Sequence, residues 1–228
     1  MIKQNVDTVL AKISAVCARA GRDPRAVTLI GVTKYSSADD VNLAIAAGLK
    51  DIAENRVQAA EEKFPRLTLA ERAPVKHLIG HLQSNKVKDA VRLFDMIQSV
   101  DSLKLAAEID KRAAAVGKRQ DILVQVDIAR EEQKFGVAEE DLEALLVYLD
   151  GCRNVRTRGL MAMAPLTGDN VVIRSVFRRL KALFERVSVG RPFMEHVSMG
   201  MSGDYEIAIE EGATMVRIGS AIFKGVAR

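Results

Sequence analysis

Three stretches of the sequence carry residue types that could do chemistry: a lysine ending an apolar run and two glycine- and serine-rich loops late in the chain. Lys34 closes the run Val27-Thr-Leu-Ile-Gly-Val-Thr-Lys34. An amine where a buried strand gives way to a loop has its stem among apolar neighbours. Desolvation there disfavours the ammonium form, and the free amine is the nucleophile that makes a Schiff base with a carbonyl compound. A strand-end lysine that merely reaches solvent is the commoner arrangement. The loops are Ser198-Met-Gly-Met-Ser-Gly-Asp204 and Arg217-Ile-Gly-Ser-Ala-Ile222. Each offers backbone N–H groups and hydroxyls ahead of a helix, a donor set that suits a phosphate dianion, although Ser and Gly also cap helices with no ligand present.

What places these groups is a regular alternation of strands and helices. An amphipathic helix over 2–20 precedes the strand to Lys34, after which Ser36 or Ser37 caps a helix over 38–48 with Asp39 and Asp40 in its first turn. Strands follow at 51–54, 75–79, 96–100, 122–128, 155–163, 195–199 and 214–218, with helices at 55–70, 84–93, 102–117, 139–149 and 172–187 between them. Alternating units joined by short loops predict a parallel sheet with crossover helices, and eight units in 228 residues predict a (β/α)8 TIM-type barrel with an extra N-terminal helix. An open doubly wound sheet would lead one to expect a Gly-x-Gly-x-x-Gly after the first strand, and there is none. No linker or shift of composition divides the chain, so residues 1–228 are expected to form one domain.

Composition narrows the classes further. Hydrophobic residues make up 48% and charged residues 28%, and no uncharged apolar run reaches the ~20 residues of a spanning helix. A cytoplasmic protein with no membrane partner is expected, since the N-terminus lacks a secretory apolar segment. The net charge of +4 is spread over pairs such as Lys111-Arg112 and Arg178-Arg179 on helix faces, and aromatics are only 4%, which disfavours nucleic acid. Cys17 and Cys152 are isolated and read as idle thiols. His77 and His81 flank Ile79-Gly80, a strand-to-loop turn, so a barrel-rim and a loop histidine are expected there rather than a zinc pair. His196 is expected as a hydrogen-bonded wall residue on the seventh strand.

In a barrel, reactive groups gather at the C-terminal ends of strands, and phosphate sites follow strands seven and eight. Lys34 and both loops satisfy that placement, next to one another in the ring. An amine for a Schiff base beside a phosphate cradle suggests pyridoxal 5′-phosphate (PLP). Arg217 then fits as the group facing the pyridine nitrogen; an arginine holds its proton, leaves that nitrogen unprotonated and weakens the ring as an electron sink. An ion pair of Arg217 with Glu195, Asp204 or Glu206 is the structural alternative. A Schiff-base aldolase on the same barrel would share the lysine and the loops.

The motifs Val32-Thr-Lys34, Ala53-Glu-Asn-Arg-Val-Gln58, His77-Leu-Ile-Gly-His-Leu-Gln-Ser-Asn-Lys86, Gln98-Ser-Val-Asp101, Arg158-Gly-Leu-Met161, Ser198-Met-Gly-Met-Ser202 and Met215-Val-Arg-Ile-Gly-Ser-Ala-Ile-Phe223 resemble those of the pyridoxal phosphate homeostasis proteins, whose barrel is also that of the alanine racemase N-terminal domain. The resemblance implies that Lys34 carries PLP as an aldimine and that Arg217 sits near the ring nitrogen. It also implies that Ser198, Met201, Ser202, Gly219 and Ser220 surround the phosphate and that Asn55 lines the ring side. Tyr35 and Arg56 depart from the family pattern beside these positions, and Lys224 interrupts its usual Phe-Gly ending. Lys134 and Lys224 are candidate secondary sites for the aldehyde. The implied role is a carrier that buffers PLP and hands it to apo-enzymes without turnover, as a monomer. A PLP-dependent amino-acid racemase is the alternative; two-base racemisation needs a second acid/base on the opposite face of the ring, which alanine racemases take from a C-terminal domain that this sequence does not supply.

Overall fold

Eight parallel strands close in sequence order, β1 pairing with both β2 and β8, in the computed structural model, which describes residues 1–68, 73–129 and 135–225. The strands are β1 (Thr28–Val32), β2 (Asp51–Glu54), β3 (Val75–Leu78), β4 (Met96–Val100), β5 (Gln120–Gln125), β6 (Val155–Met161), β7 (His196–Met201) and β8 (Met215–Ile218). The helices are α1 (Ile2–Arg19), α2 (Ala38–Ala46), α3 (Val57–Lys63), α4 (Val87–Leu93), α5 (Leu103–Ala115), α6 (Glu139–Asp150), α7 (Asn170–Val187), α8 (Tyr205–Glu210) and α9 (Ser220–Phe223). The expected (β/α)8 barrel is therefore present, with α1 packed on α2, α8 and α9.

The strand period of two sorts the apolar residues into two layers. In β5, Ile122 and Val124 face the helices while Leu123 points into the barrel. Ile30, Ala53, Met96, Leu123, Met161 and Met215 form the interior cluster, and the larger layer lies between strands and helices. His77, Gln98, Ser198 and Arg217 are also buried, and they are polar. His77 is thus an interior residue at 1% exposure and not the rim histidine expected, because it lies within β3, two residues ahead of the turn at Ile79-Gly80.

Helix ends follow local chemistry. Ser37 caps α2 in a reciprocal capping box with Asp40, its hydroxyl accepting from the Asp40 N–H at 3.1 Å while the Asp40 carboxylate accepts from the Ser37 N–H at 3.2 Å. The helix expected over 55–70 stops at Lys63 and gives way to a 3-10 turn over Phe64–Arg66. Pro65 has no N–H for an intrahelical bond and restricts the residue before it. The helix expected from 84 opens with a 3-10 turn, Ser84–Lys86, before α4 begins. Lys134 lies outside the described residues.

Among the described glycines, Gly159 leaves the least room for a side chain. Its φ is +152°, and a Cβ there would overlap the carbonyl oxygen of His196 on β7. Gly159→Ala should therefore cost about 3 kcal/mol or more, through backbone strain and a clash that no side-chain rotation relieves. Urea unfolding of the two proteins measures that loss directly.

Candidate functional site

The C-terminal ends of the strands surround a cavity of about 1140 Å³. Lys34, Asn55, Met201, Ser202, Arg217, Gly219 and Ser220 all contribute to its wall, joined by Tyr35, Ile79, Met163, Phe223 and Lys224. Residues far apart in sequence meet there because the ring order places the ends of β7, β8, β1 and β2 side by side. Ser198 is the one expected site residue that does not reach the wall.

Lys34 stands two residues beyond β1, in a turn closed by the Ser36 N–H donating to the Thr33 carbonyl at 2.9 Å. The expected desolvated stem is absent: Lys34 is exposed, and its amine lies 4.9 Å from the centre of the Tyr35 ring. The apolar run ends at Val32, so the strand leaves the core before the lysine is reached. What holds the turn is Thr33, fully buried, whose hydroxyl donates to Glu54 at 2.7 Å. Lys63 donates to the Thr33 carbonyl at 2.6 Å and to the same Glu54 oxygen at 2.5 Å. Glu54 is fully buried, and its Oε2 has no protein partner.

The loops after β7 and β8 are tied together by the Gly219 N–H donating to the Ser202 hydroxyl at 3.3 Å. Asp204 anchors the first loop by accepting from the Met201 N–H at 2.5 Å. Burial pushes the Asp204 carboxyl up, and the Arg217 charge works in the opposite direction. Arg217 is 3% exposed; one guanidinium nitrogen donates to the Ser198 hydroxyl at 2.7 Å and the other to the Ala162 carbonyl at 3.0 Å. Burial lowers its pKa to about 10, offset in part by Asp204, so it stays cationic at neutral pH. The alternative ion pair is not made: Glu195 contacts Arg158, Glu206 contacts Arg19, and Asp204 acts on Arg217 only through its field.

Ser198 lies one layer beneath the cavity, fully buried, with its hydroxyl engaged by Arg217 and Gln98. Beside the cavity, Asn55 holds a buried side-chain oxygen with no protein partner. Gly80 presses on that residue so closely that a Cβ would overlap the Asn55 carbonyl. His196, on β7, has its pKa lowered to about 4 by burial and by the Arg158 guanidinium, and its nearest carboxylate is Glu195 at 3.7 Å. His81 stacks on Phe135 with ring centres 3.8 Å apart. Sequence reasoning named no role for Glu54, Lys63 or Gln98. A polar pair, Gln98-Ser99, inside the otherwise apolar strand Met96–Val100 was the signal for the last of these.

The alanine racemase N-terminal domain family model matches residues 5–226. A pyridoxal phosphate homeostasis protein of Pseudomonas aeruginosa is 39% identical over 222 residues, covering 97% of this chain and 94% of that one. One of Aquifex aeolicus is 39% identical, with 96% of each chain covered. The chain belongs to the pyridoxal phosphate homeostasis protein family. Among solved structures, PipY of Synechococcus elongatus with PLP bound superposes on this family member with a TM-score of 0.85, at 34% identity, covering 98% of this chain and all of that one. In this homeostasis-family chain no described helix is long and apolar enough to cross a membrane.

Proposed function

We propose that this homeostasis-family protein binds PLP at the C-terminal mouth of its barrel, and that it holds and hands on the cofactor without turning over a substrate. The observation that carries the proposal is the meeting, on one cavity, of an exposed lysine amine, a buried arginine and two hydroxyl-bearing glycine loops. The residues present fit the group. PLP presents an aldehyde, a dianionic phosphate, a ring nitrogen and a phenolic hydroxyl; when bound, it supplies the carbonyl for a lysine linkage and the chromophore.

In this assignment Lys34 is the covalent anchor, and its exposure leaves the amine accessible to an incoming aldehyde. Met201, Ser202, Gly219 and Ser220 receive the phosphate, Arg217 faces the ring nitrogen, and Asn55 offers its unpartnered oxygen to a ligand hydroxyl. Ser198 moves from the phosphate cradle to the support of Arg217, since its hydroxyl is already committed. Lys224, also on the wall, is a second amine within the same cavity. Residues 1–228 act as one PLP-binding barrel domain, a cytoplasmic monomer whose partners are apo-enzymes that accept PLP.

Purified protein mixed with PLP is expected to turn yellow, and borohydride reduction followed by mass spectrometry should place the pyridoxyl group on Lys34. Deuterium should not enter Cα of added amino acids at a catalytic rate. Rapid exchange would replace the carrier assignment with a racemase-like one.

A further inference from the structure

A continuous chain of hydrogen bonds crosses the barrel interior from the cavity floor to the opposite end. Arg217 on β8 donates to Ser198 on β7 at 2.7 Å, and Ser198 donates to the Gln98 side-chain oxygen on β4 at 2.7 Å. The Gln98 amide nitrogen lies 3.0 Å from His77 Nδ1 on β3, and His77 Nε2 lies 3.0 Å from the Asp51 carboxylate at the start of β2. Ser198, Gln98, His77 and Arg217 are all 3% exposed or less, among the methionines and aliphatics of the barrel interior.

With a single proton on the His77 ring, the two ends fix the direction of every bond. A guanidinium only donates and a carboxylate only accepts. Ser198 receives from Arg217 and passes its own proton toward Gln98. The Gln98 oxygen then accepts, its amide N–H donates to a bare His77 Nδ1, and His77 carries its proton on Nε2 for Asp51. The second Gln98 N–H points at the Met215 sulfur, 3.9 Å away. A flipped Gln98 would set its oxygen against the bare Nδ1 and that sulfur, and would leave the Ser198 hydroxyl without an acceptor. Each such orphan in a low-dielectric interior is costly, so the whole chain takes one orientation.

We propose that Gln98 is a positioning residue for Arg217, acting through Ser198 to present the guanidinium to a cavity ligand in a single orientation. The inference rests on the assignment of PLP to the cavity, and it adds a residue that touches no ligand. With the Ser198 hydroxyl directed at Gln98, a lone pair faces Arg217; with the Gln98 acceptor removed, that hydroxyl can rotate and the guanidinium loses its fixed partner.

In ligand-free wild-type protein, ¹⁵N NMR of the imidazoles should show His77 with its proton on Nε2 and Nδ1 bare. A proton on Nδ1 would overturn the chain's direction and the proposal with it. For the cofactor, Gln98→Leu should weaken PLP binding about tenfold and shift the absorption band of the bound form. Gln98→Glu keeps an acceptor for Ser198 and should bind close to wild type. A leucine variant with wild-type affinity and spectrum, or equal losses in both variants, would reduce Gln98 to packing and sink the proposal. Wild-type protein that takes up no PLP would defeat the cavity assignment instead, and the histidine measurement would still decide the chain. Should the leucine variant fail to fold, Ser198→Ala, which removes the hydroxyl between Gln98 and Arg217, should show the same loss of affinity and band shift, and wild-type binding there would overturn the proposal.

Discussion

Lys34→Ala should leave the fold intact and remove the covalent hold on PLP completely. Lys34 is exposed and belongs to no strand or helix, so its loss should change unfolding free energy by less than about 0.5 kcal/mol. Lys34 nonetheless lines the same cavity as the two loops tied through Gly219 and Ser202, so its amine is available to an aldehyde held there. The variant should therefore show no band of lysine-linked cofactor and no pyridoxyl adduct after borohydride reduction. Weak binding should persist through the phosphate loops and Arg217, readable as quenching by added PLP that washes away on gel filtration. Lys224 makes the experiment sharper, because it lines the same cavity. If the band survives in Lys34→Ala and disappears in Lys224→Ala, the anchor has been assigned to the wrong lysine.

The barrel, and the meeting of Lys34, Asn55 and the two late loops on one cavity, were legible in the sequence for a simple reason: both depend on local patterns. Apolar runs and capping residues mark the strands and helices, and the rule that sites gather at strand C-termini then brings Lys34, Asn55 and the two late loops together. Lys34's surroundings were not legible. The run of uncharged residues before it extends to Thr33, but the strand stops at Val32, and whether two residues carry a side chain out of the core is decided by the loop's path. The limit is the same at Ser198. Its loop reads as a phosphate cradle, and strand alternation decides which serine faces the cavity: Ser202 lines it, while Ser198 lies beneath, bonded to Arg217. Gln98 and Arg217 are 119 residues apart, and Glu54 meets Thr33 from a neighbouring strand. Such pairings exist only once the ring has closed, so no spacing in the sequence announces them.

The second large effect concerns the pair under the Lys34 turn. Lys63 and Glu54 are 12% and 1% exposed at their side chains, and they meet at 2.5 Å. Lys63→Met would leave the Glu54 carboxylate buried with no cation, and removing one partner of a buried pair costs about 3–5 kcal/mol. The double variant Glu54→Leu/Lys63→Met removes both charges. The remaining groups are then satisfied: the Thr33 hydroxyl still has the Ala53 carbonyl at 3.1 Å, and the Thr33 carbonyl still receives the Ser36 N–H at 2.9 Å. Most of the stability lost in Lys63→Met should therefore return in the double variant, since apolar replacement of a buried pair is often neutral or better. PLP affinity should not return with it. Lys63 pins the carbonyl immediately before Lys34, and a methionine cannot donate to it. Denaturant unfolding and PLP titration on the wild type, the single variant and the double variant separate the two roles. Recovery of both quantities together would show that the pair serves stability alone, and recovery of neither would show that the apolar pair does not pack there.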